Sequence, residues 1–242
     1  MNEIIRSLHA RKSVRAYLDR PISAEDKQAI LSAACAAPTA GNMQMYTILD
    51  ITDQAIKDRL AVSCDNQPFI AAAPMVLVFC ADYQKWYDAF REAGAQPRIP
   101  GAGDLLLAVV DTAIAAQNAV TAAESLGIGS CYIGDILEQR ETHRELLQLP
   151  EYTVPCAMLV LGYPTDRQKE RKKPERCGIK HIVHENAYRR MEGPELREMF
   201  ALRAGDAGYD DYMAKFCTRK YNSDFSREMT RSAEGYLKQF HG

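Results

Sequence analysis

The chain lacks most of the local signatures that reveal an enzyme's chemistry. It has no CxxC pair, no Walker A sequence, no HExxH and no G-x-S-x-G. Nothing local therefore points to a paired-cysteine zinc site, a P-loop ATPase, a zincin or an α/β-hydrolase. Charge of one sign is missing too: 30 Lys+Arg against 32 Asp+Glu leave a formal net charge of −2. That excludes a global basic field drawing the protein onto nucleic acid or anionic lipid. There is no long uninterrupted apolar run. The most apolar stretch, 105–126, is broken by Asp111, Gln117, Asn118 and Glu124, each costly in a bilayer, so it reads as a buried helix and not a membrane span. Residues 1–10 carry Asn2, Glu3, Arg6 and His9, which leaves no apolar core for a secretory signal. The seven cysteines stand singly and are odd in number, a pattern that predicts reduced thiols and a cytoplasmic setting.

What is present suits a folded enzyme. With 47% hydrophobic and 26% charged residues, the chain can bury a sizeable core. Ile4, Ile5 and Leu8 fall at helical spacing just before the basic run Arg11, Lys12, Ser13, Val14, Arg15. Ser23 followed by Asp26 reads as a helix start, and Pro38 closes that helix. Strands are predicted at 46–52, 74–80, 130–133 and 154–161, with helices at 55–63, from about 104 to 126, and at 137–147. This α/β rhythm alone suggests a parallel sheet. Residues 84–103, with Pro97, Pro100, Gly101 and Gly103, read as an irregular insertion suited to a lid. Beyond 165 a charged run leads into helical patterns at 194–216 and 223–240 without another strand, a tail that needs something to pack on.

Two tempting motifs fail. The glycines 101 and 103, and 127, 129 and 134, lack either the third glycine or the strand-to-helix order of a dinucleotide turn. Cys177, His181 and His184 have neither metal-site spacing nor a fourth ligand. No His and carboxylate are paired as nucleophile and base.

Five elements remain, and together they suit a flat, phosphorylated ring. Arg11, Lys12, Ser13 and Arg15 offer three cations and a hydroxyl, fit for a phosphate or a carbonyl edge, although a solvated basic turn has the same composition. The loop Ala37, Pro38, Thr39, Ala40, Gly41, Asn42, Met43, Gln44 brings small and amide residues before a strand, and Gln67 supplies another loop amide. In Cys131, Tyr132, Ile133, Gly134, Asp135 a strand ends in glycine, which can bring a backbone N–H close to a ring. Arg167, Lys169, Arg171, Lys172, Lys173 and Arg176 form a second cationic run, which lacks the interleaved aromatics of a nucleic-acid patch.

In this order the elements resemble the nitroreductase family of FMN-dependent NAD(P)H oxidoreductases over nearly the whole chain. The pieces that carry the resemblance are RKSVR, APTAGNMQ, AAESLGIGSCYIGD and KKPERCGIKHIVHENAY. Gln67, the YIG segment and the long tail look closer to the flavin reductase or NADPH nitroreductase branch than to the shorter members. The resemblance implies an α+β fold, a three-layer α/β/α sandwich. Its sheet would be mixed and mainly antiparallel, with helices on both faces and an extended helical C-terminal tail. It implies one domain over 1–242, with 165–242 as an extension packing on the partner subunit of an intertwined homodimer that holds non-covalent FMN in each interface. By the same resemblance Arg11, Lys12, Ser13 and Arg15 bind FMN, and Thr39, Asn42, Gln44 and Gln67 touch its ribityl chain or ring edges. Tyr132, Ile133, Gly134 and Asp135 would line the ring near N5, and Lys172, Lys173 or Arg176 would hold the phosphate. Pro174 and Glu175 disturb the family's spacing of two cations, leaving open which two act. Arg219 would meet the phosphate of the nicotinamide cofactor. The expected activity is ping-pong transfer of two electrons from NADPH or NADH to nitroaromatics, quinones or flavins, with the flavin and no side chain as the reacting group. The same fold would also serve a dehalogenase, a metabolite dehydrogenase or a flavin-binding redox sensor.

Overall fold

The structure, a computed structural model, describes residues 1–242. The chain divides into two compact units, residues 1–171 with 228–242, and residues 172–227.

The first unit is organised by a strand that is buried from end to end. Every residue of β2 (Met75–Asp82) is buried, and successive side chains leave on opposite faces. Met75, Leu77 and Phe79 join Ile30 and Ala34 of α2 (Ala24–Cys35) and Ala115, Ala116, Ala119 and Ala123 of α6 (Ala102–Ser125). Val76, Val78 and Cys80 join Leu60 and Ala61 of α3 (Gln54–Ser63) and Ile70 of α4 (Pro68–Ala71). β4 (Thr153–Gly162) divides the same way, Leu159 and Leu161 to one face, Met158 and Val160 to the other. Burial on both faces explains why these strands read as unbroken apolar runs, and each such side chain contributes about 1.5–3 kcal/mol.

With β1 (Tyr46–Asp50) and β3 (Gly129–Ile133), the strands lie in the order β1-β2-β4-β3, and every neighbouring pair is antiparallel. The α+β sandwich with helices on both faces is therefore present, and the parallel sheet suggested by rhythm is not. Strand and helix alternate along the chain without setting strand direction: β1 and β2 run oppositely, and β3 lies at the edge beyond β4. The long α6 has the length and composition of a membrane span. Here its small residues press one face onto the sheet, so it is a core helix.

Two expected boundaries move. Residues 84–92 form α5 (Gln84–Glu92) where an irregular segment was expected. Trp86 and Tyr87 pack into an apolar cluster with Tyr152, Tyr236 and Phe240, and Trp86 Nε1 donates to the Met43 carbonyl at 2.8 Å. The remainder of that segment is clamped: Arg98 pairs with Asp104 at 2.6 and 2.9 Å, Asp104 accepts from Gly101 N at 2.8 Å, and Gly242 N donates to Pro100 O at 3.2 Å. α7 (Arg140–Leu146) begins later than predicted because Asp135–Leu137 forms a 3₁₀ turn and Gln139 takes a left-handed φ of 46°.

The second unit has no strand. The expected helix over 194–216 breaks into α9 (Gly193–Ala204) and α10 (Tyr209–Phe216), because Gly205 and Gly208 adopt φ of 51° and 78°. α10 runs on into a π-helical turn at Cys217–Tyr221, and α11 (Asp224–Leu237) carries the chain back into the first unit.

Candidate functional site

The basic run is seated by two close approaches. A Cβ on Gly129 would lie 2.4 Å from Val14 Cγ2, and one on Gly162 would lie 2.6 Å from Tyr17 Cδ1. Only glycine lets residues 14–18 lie this close to the ends of β3 and β4. Val14 N then donates to Ser130 O at 3.0 Å and Leu18 N to Tyr163 O at 2.8 Å. The cations therefore stand on a fixed backbone.

Arg11 follows α1 (Glu3–Ala10) and turns onto β3, where its Nη2 donates to Ser130 Oγ at 3.4 Å and its guanidinium lies 5.8 Å from the centre of the Tyr132 ring. Arg11 Nε is buried with no partner. Burial pushes the Tyr132 hydroxyl up to about 12, with Arg11 pulling the other way. Burial also raises the Glu124 carboxyl, again opposed by Arg11. Lys12 is engaged differently: its ammonium donates to the carbonyls of Lys169 and of Arg171, the latter at 2.5 Å. It thus fixes the chain immediately before Lys172. Ser13 is half-buried and Arg15 exposed. The Arg15 guanidinium lies 5.7 Å from the Phe69 ring centre, and its backbone N donates to Gln168 Oε1 at 3.0 Å.

Phe69 brings Arg15 towards Gln67, two residues away in the chain. Gln67 is held by its own loop, N to Ala61 O and Nε2 to Cys64 O, both at 2.8 Å. Along β3, Tyr132 is partly exposed and donates to Gln117 Oε1 at 3.4 Å, while Ile133 is buried in the core. A Cβ on Gly134 would meet nothing within 4 Å, so open space faces this backbone. Asp135 opens the 3₁₀ turn that follows.

The Thr39–Gln44 loop forms a separate patch. Gly41, Asn42 and Gln44 have φ of 57°, 57° and 47°, and left-handed non-glycine residues cost about 1 kcal/mol or more each. The conformation is held from below. Asp111 of α6, 2% exposed, accepts from Thr39 Oγ1, from Ala40 N at 3.1 Å and from Met45 N at 3.3 Å. Thr39 Oγ1 in turn accepts from Gln44 N at 2.8 Å, and Gln44 Nε2 donates to Cys35 O at 3.0 Å. Contacts join Arg11 to Tyr132 and Arg15 to Phe69, two residues from Gln67, and no hydrogen bond or ion pair joins the Thr39–Gln44 loop to the basic run.

Lys172, Lys173 and Arg176 lie on an irregular segment of the second unit, where Lys172 pairs with Glu175 at 3.8 Å. Arg219 lies in the π-helical turn and lines a cavity of about 590 Å³ with Ala214, Lys215 and Thr218. No group of His, Cys, Asp and Glu is arranged to hold a metal ion. Sequence reasoning missed Asp111, Gln117 and Glu124 as parts of the site, noting them only as polar interruptions of an apolar helix. A carboxylate on the core face of such a helix was the available signal.

The residues present fit a phosphorylated flavin. The buried Arg11 Nε has no partner within the chain, Lys12 and Arg15 follow it on the same fixed backbone, and open space faces the Gly134 backbone. Comparison with known proteins points the same way. The nitroreductase family model matches residues 8–163. The FMN reductase [NAD(P)H] of Bacillus subtilis is 31% identical over 243 residues, 100% of this chain and 93% of that protein. The oxygen-insensitive NADPH nitroreductase of Salmonella typhimurium is 35% identical over 216 residues, 89% of this chain and 83% of that protein. Among solved structures, the NADPH:FMN oxidoreductase of Vibrio harveyi complexed with NAD+ superposes with a TM-score of 0.83 at 28% identity, covering 98% of each chain.

Proposed function

Because the chain belongs to the nitroreductase family, we propose that it is an FMN-dependent oxidoreductase that moves two electrons from NAD(P)H to small acceptors such as nitroaromatics, quinones or flavins. The observation that carries this reading is the seating of Arg11 against Ser130 and Tyr132, with a buried guanidinium nitrogen left free for a ligand.

When bound, FMN would supply two-electron chemistry between a nicotinamide and the acceptor. The protein's part is positioning and charge. Arg11, Ser13 and Arg15 meet the anionic and carbonyl groups of the cofactor, and Gln67 offers an amide to the ring edge. Tyr132 and the backbone of Ile133 and Gly134 would bound the ring, the Ile133 side chain being buried in the core, with Asp135 closing that segment. Lys12 acts at one remove, fixing residues 169–171, and two of Lys172, Lys173 and Arg176 would hold the phosphate. Arg219 meets the phosphate of NADPH. Cations in a partly desolvated site stabilise the negative charge that reduction brings, by a few kcal/mol.

The protein acts as a homodimer in the cytoplasm, its thiols reduced. The support for the dimer is twofold. Leu106, Leu107 and Val110 of α6 are exposed, as are Ile4, Ile5 and Leu8 of α1, an apolar surface that a second copy would cover. The absence of any hydrogen bond or ion pair between the Thr39–Gln44 loop and the basic run of the same chain also suits a site shared between two copies. In this reading 172–227 is the part of the expected 165–242 extension that embraces the partner, whereas 228–242 packs on its own chain through Tyr236 and Phe240. Initial rates measured against NADPH at several fixed quinone concentrations should give parallel double-reciprocal lines, the mark of one site serving both substrates in turn; intersecting lines would reject that order.

A further inference from the structure

We propose that Asp111 is the positioning residue of the flavin loop: a buried carboxylate that grips both ends of Thr39–Gln44 and sets the hydrogen-bonding sense of Thr39. This rests on the reading that Thr39, Asn42 and Gln44 touch FMN.

The loop leaves the core after Ala37 and returns at Met45, reversing within a few residues through three left-handed positions. Such a path persists only where its surroundings over-determine it. Trp86 holds the Met43 carbonyl, Cys35 holds the Gln44 amide and Thr39 Oγ1 ties Gln44 N within the loop, while Asp111 joins the two ends to the core helix: Ala40 N at 3.1 Å and Met45 N at 3.3 Å donate to its two oxygens. The carboxylate accepts and cannot donate, so the single hydroxyl proton of Thr39 is committed to it. Thr39 Oγ1 spends one lone pair on Gln44 N. What remains to a ligand is an acceptor, which selects a donor group, a ribityl hydroxyl or the ring N3–H.

An amide at this position inverts the pattern. Asp111→Asn keeps an acceptor for Ala40 N but turns an NH₂ towards the Thr39 hydroxyl and Met45 N–H. The first must rotate and the second loses its partner.

The experiment compares four chains, wild type, Asp111→Asn, Thr39→Val and the double variant, by titrating apoprotein with FMN and by thermal melting. Asp111→Asn should weaken FMN at least tenfold, 1.4 kcal/mol, and change the visible circular dichroism of the bound flavin. The double variant should bind within threefold of Asp111→Asn alone, because both act through one hydroxyl. Ile30→Ala, a core cavity 0% exposed at a residue outside the loop, should lower the melting temperature yet leave FMN affinity within threefold. Should Asp111→Asn fail to fold, Ala40→Pro removes one donor to Asp111 while sparing both Asp111 and Thr39, and should weaken FMN at least threefold. An Asp111→Asn protein that melts earlier but binds FMN as wild type does, losses that simply add, or an Ala40→Pro protein with wild-type affinity overturns the proposal and leaves the flavin reading intact. A wild-type protein that takes up no FMN overturns the reading itself.

Discussion

The two units of this chain are stabilised in opposite ways. The first packs a four-stranded sheet between helices, with Phe79, Leu77, Leu159 and Leu161 fully buried. In the second, among residues 172–227, only His181 and Ala204 are buried, and the visible ties are exposed ion pairs such as Lys180–Glu198, Arg189–Glu195 and Arg197–Asp210. Exposed pairs contribute little, so the second unit lacks an apolar core of its own while displaying Ile179, Ile182, Tyr188 and Leu202 to solvent. The difference teaches that the first unit carries the apolar core, while the second is tied by surface pairs and leaves its apolar side chains exposed.

The sharpest way to break this contrast is by deletion of bulk. Phe79→Ala should cost about 3–5 kcal/mol in urea denaturation, whereas Leu202→Ala, 79% exposed, should change stability by no more than about 0.5 kcal/mol at concentrations where the chain is monomeric. Equal losses would erase the distinction. Next comes the covered surface. Leu107→Glu with Val110→Glu should lower the sedimentation mass from twice 27.1 kDa to 27.1 kDa and reduce FMN affinity by more than tenfold; an unchanged mass would place the interface elsewhere.

Within the first unit, Arg11→Ala should reduce FMN affinity by about ten- to a hundredfold, as expected for a charge-assisted bond of 1.5–3 kcal/mol. Its melting temperature should shift little, since Arg11 is only half-buried. A pH-dependent effect in the same unit concerns Glu138. Burial, followed by the neighbouring carboxylates of Asp135, Asp65 and Glu228, raises its carboxyl from 4.5 to about 7. The folded state thus binds a proton that the unfolded chain releases near pH 4.5. The resulting stability is fully present below that value and is lost as pH rises through about 7. Glu138→Gln should melt with the wild type at pH 4.5 and above it at pH 8.5; coincident curves at both would contradict the assignment.

The sheet strands β2 and β4 were legible because burial on both faces leaves unbroken apolar runs, and α6 because its polar interruptions marked it as a core helix. Strand direction was not legible, since an α/β rhythm says nothing of which way the next strand returns; the resemblance to a known family supplied it. α5 was hidden by the prolines and glycines that follow it, although Trp86, Tyr87 and Phe90 carried helical spacing. The site was legible as residue types, three cations near one end and amides in a loop. Its supports were not: Asp111 acquires meaning only when the fold lays α6 beneath residues 39–45, and Phe69 only when Arg15 settles over it. The break between α9 and α10 turns on Gly205 and Gly208, which in sequence are two glycines among fourteen.

The central claim is tested most directly by the visible spectrum of the purified protein, incubated with excess FMN, desalted, and then mixed with NADPH or NADH under nitrogen. The account expects a yellow protein whose absorbance near the flavin maximum bleaches on adding a nicotinamide, and whose colour is released by denaturation. A protein that stays colourless after desalting, or that keeps a bound flavin neither nicotinamide can bleach, would contradict it.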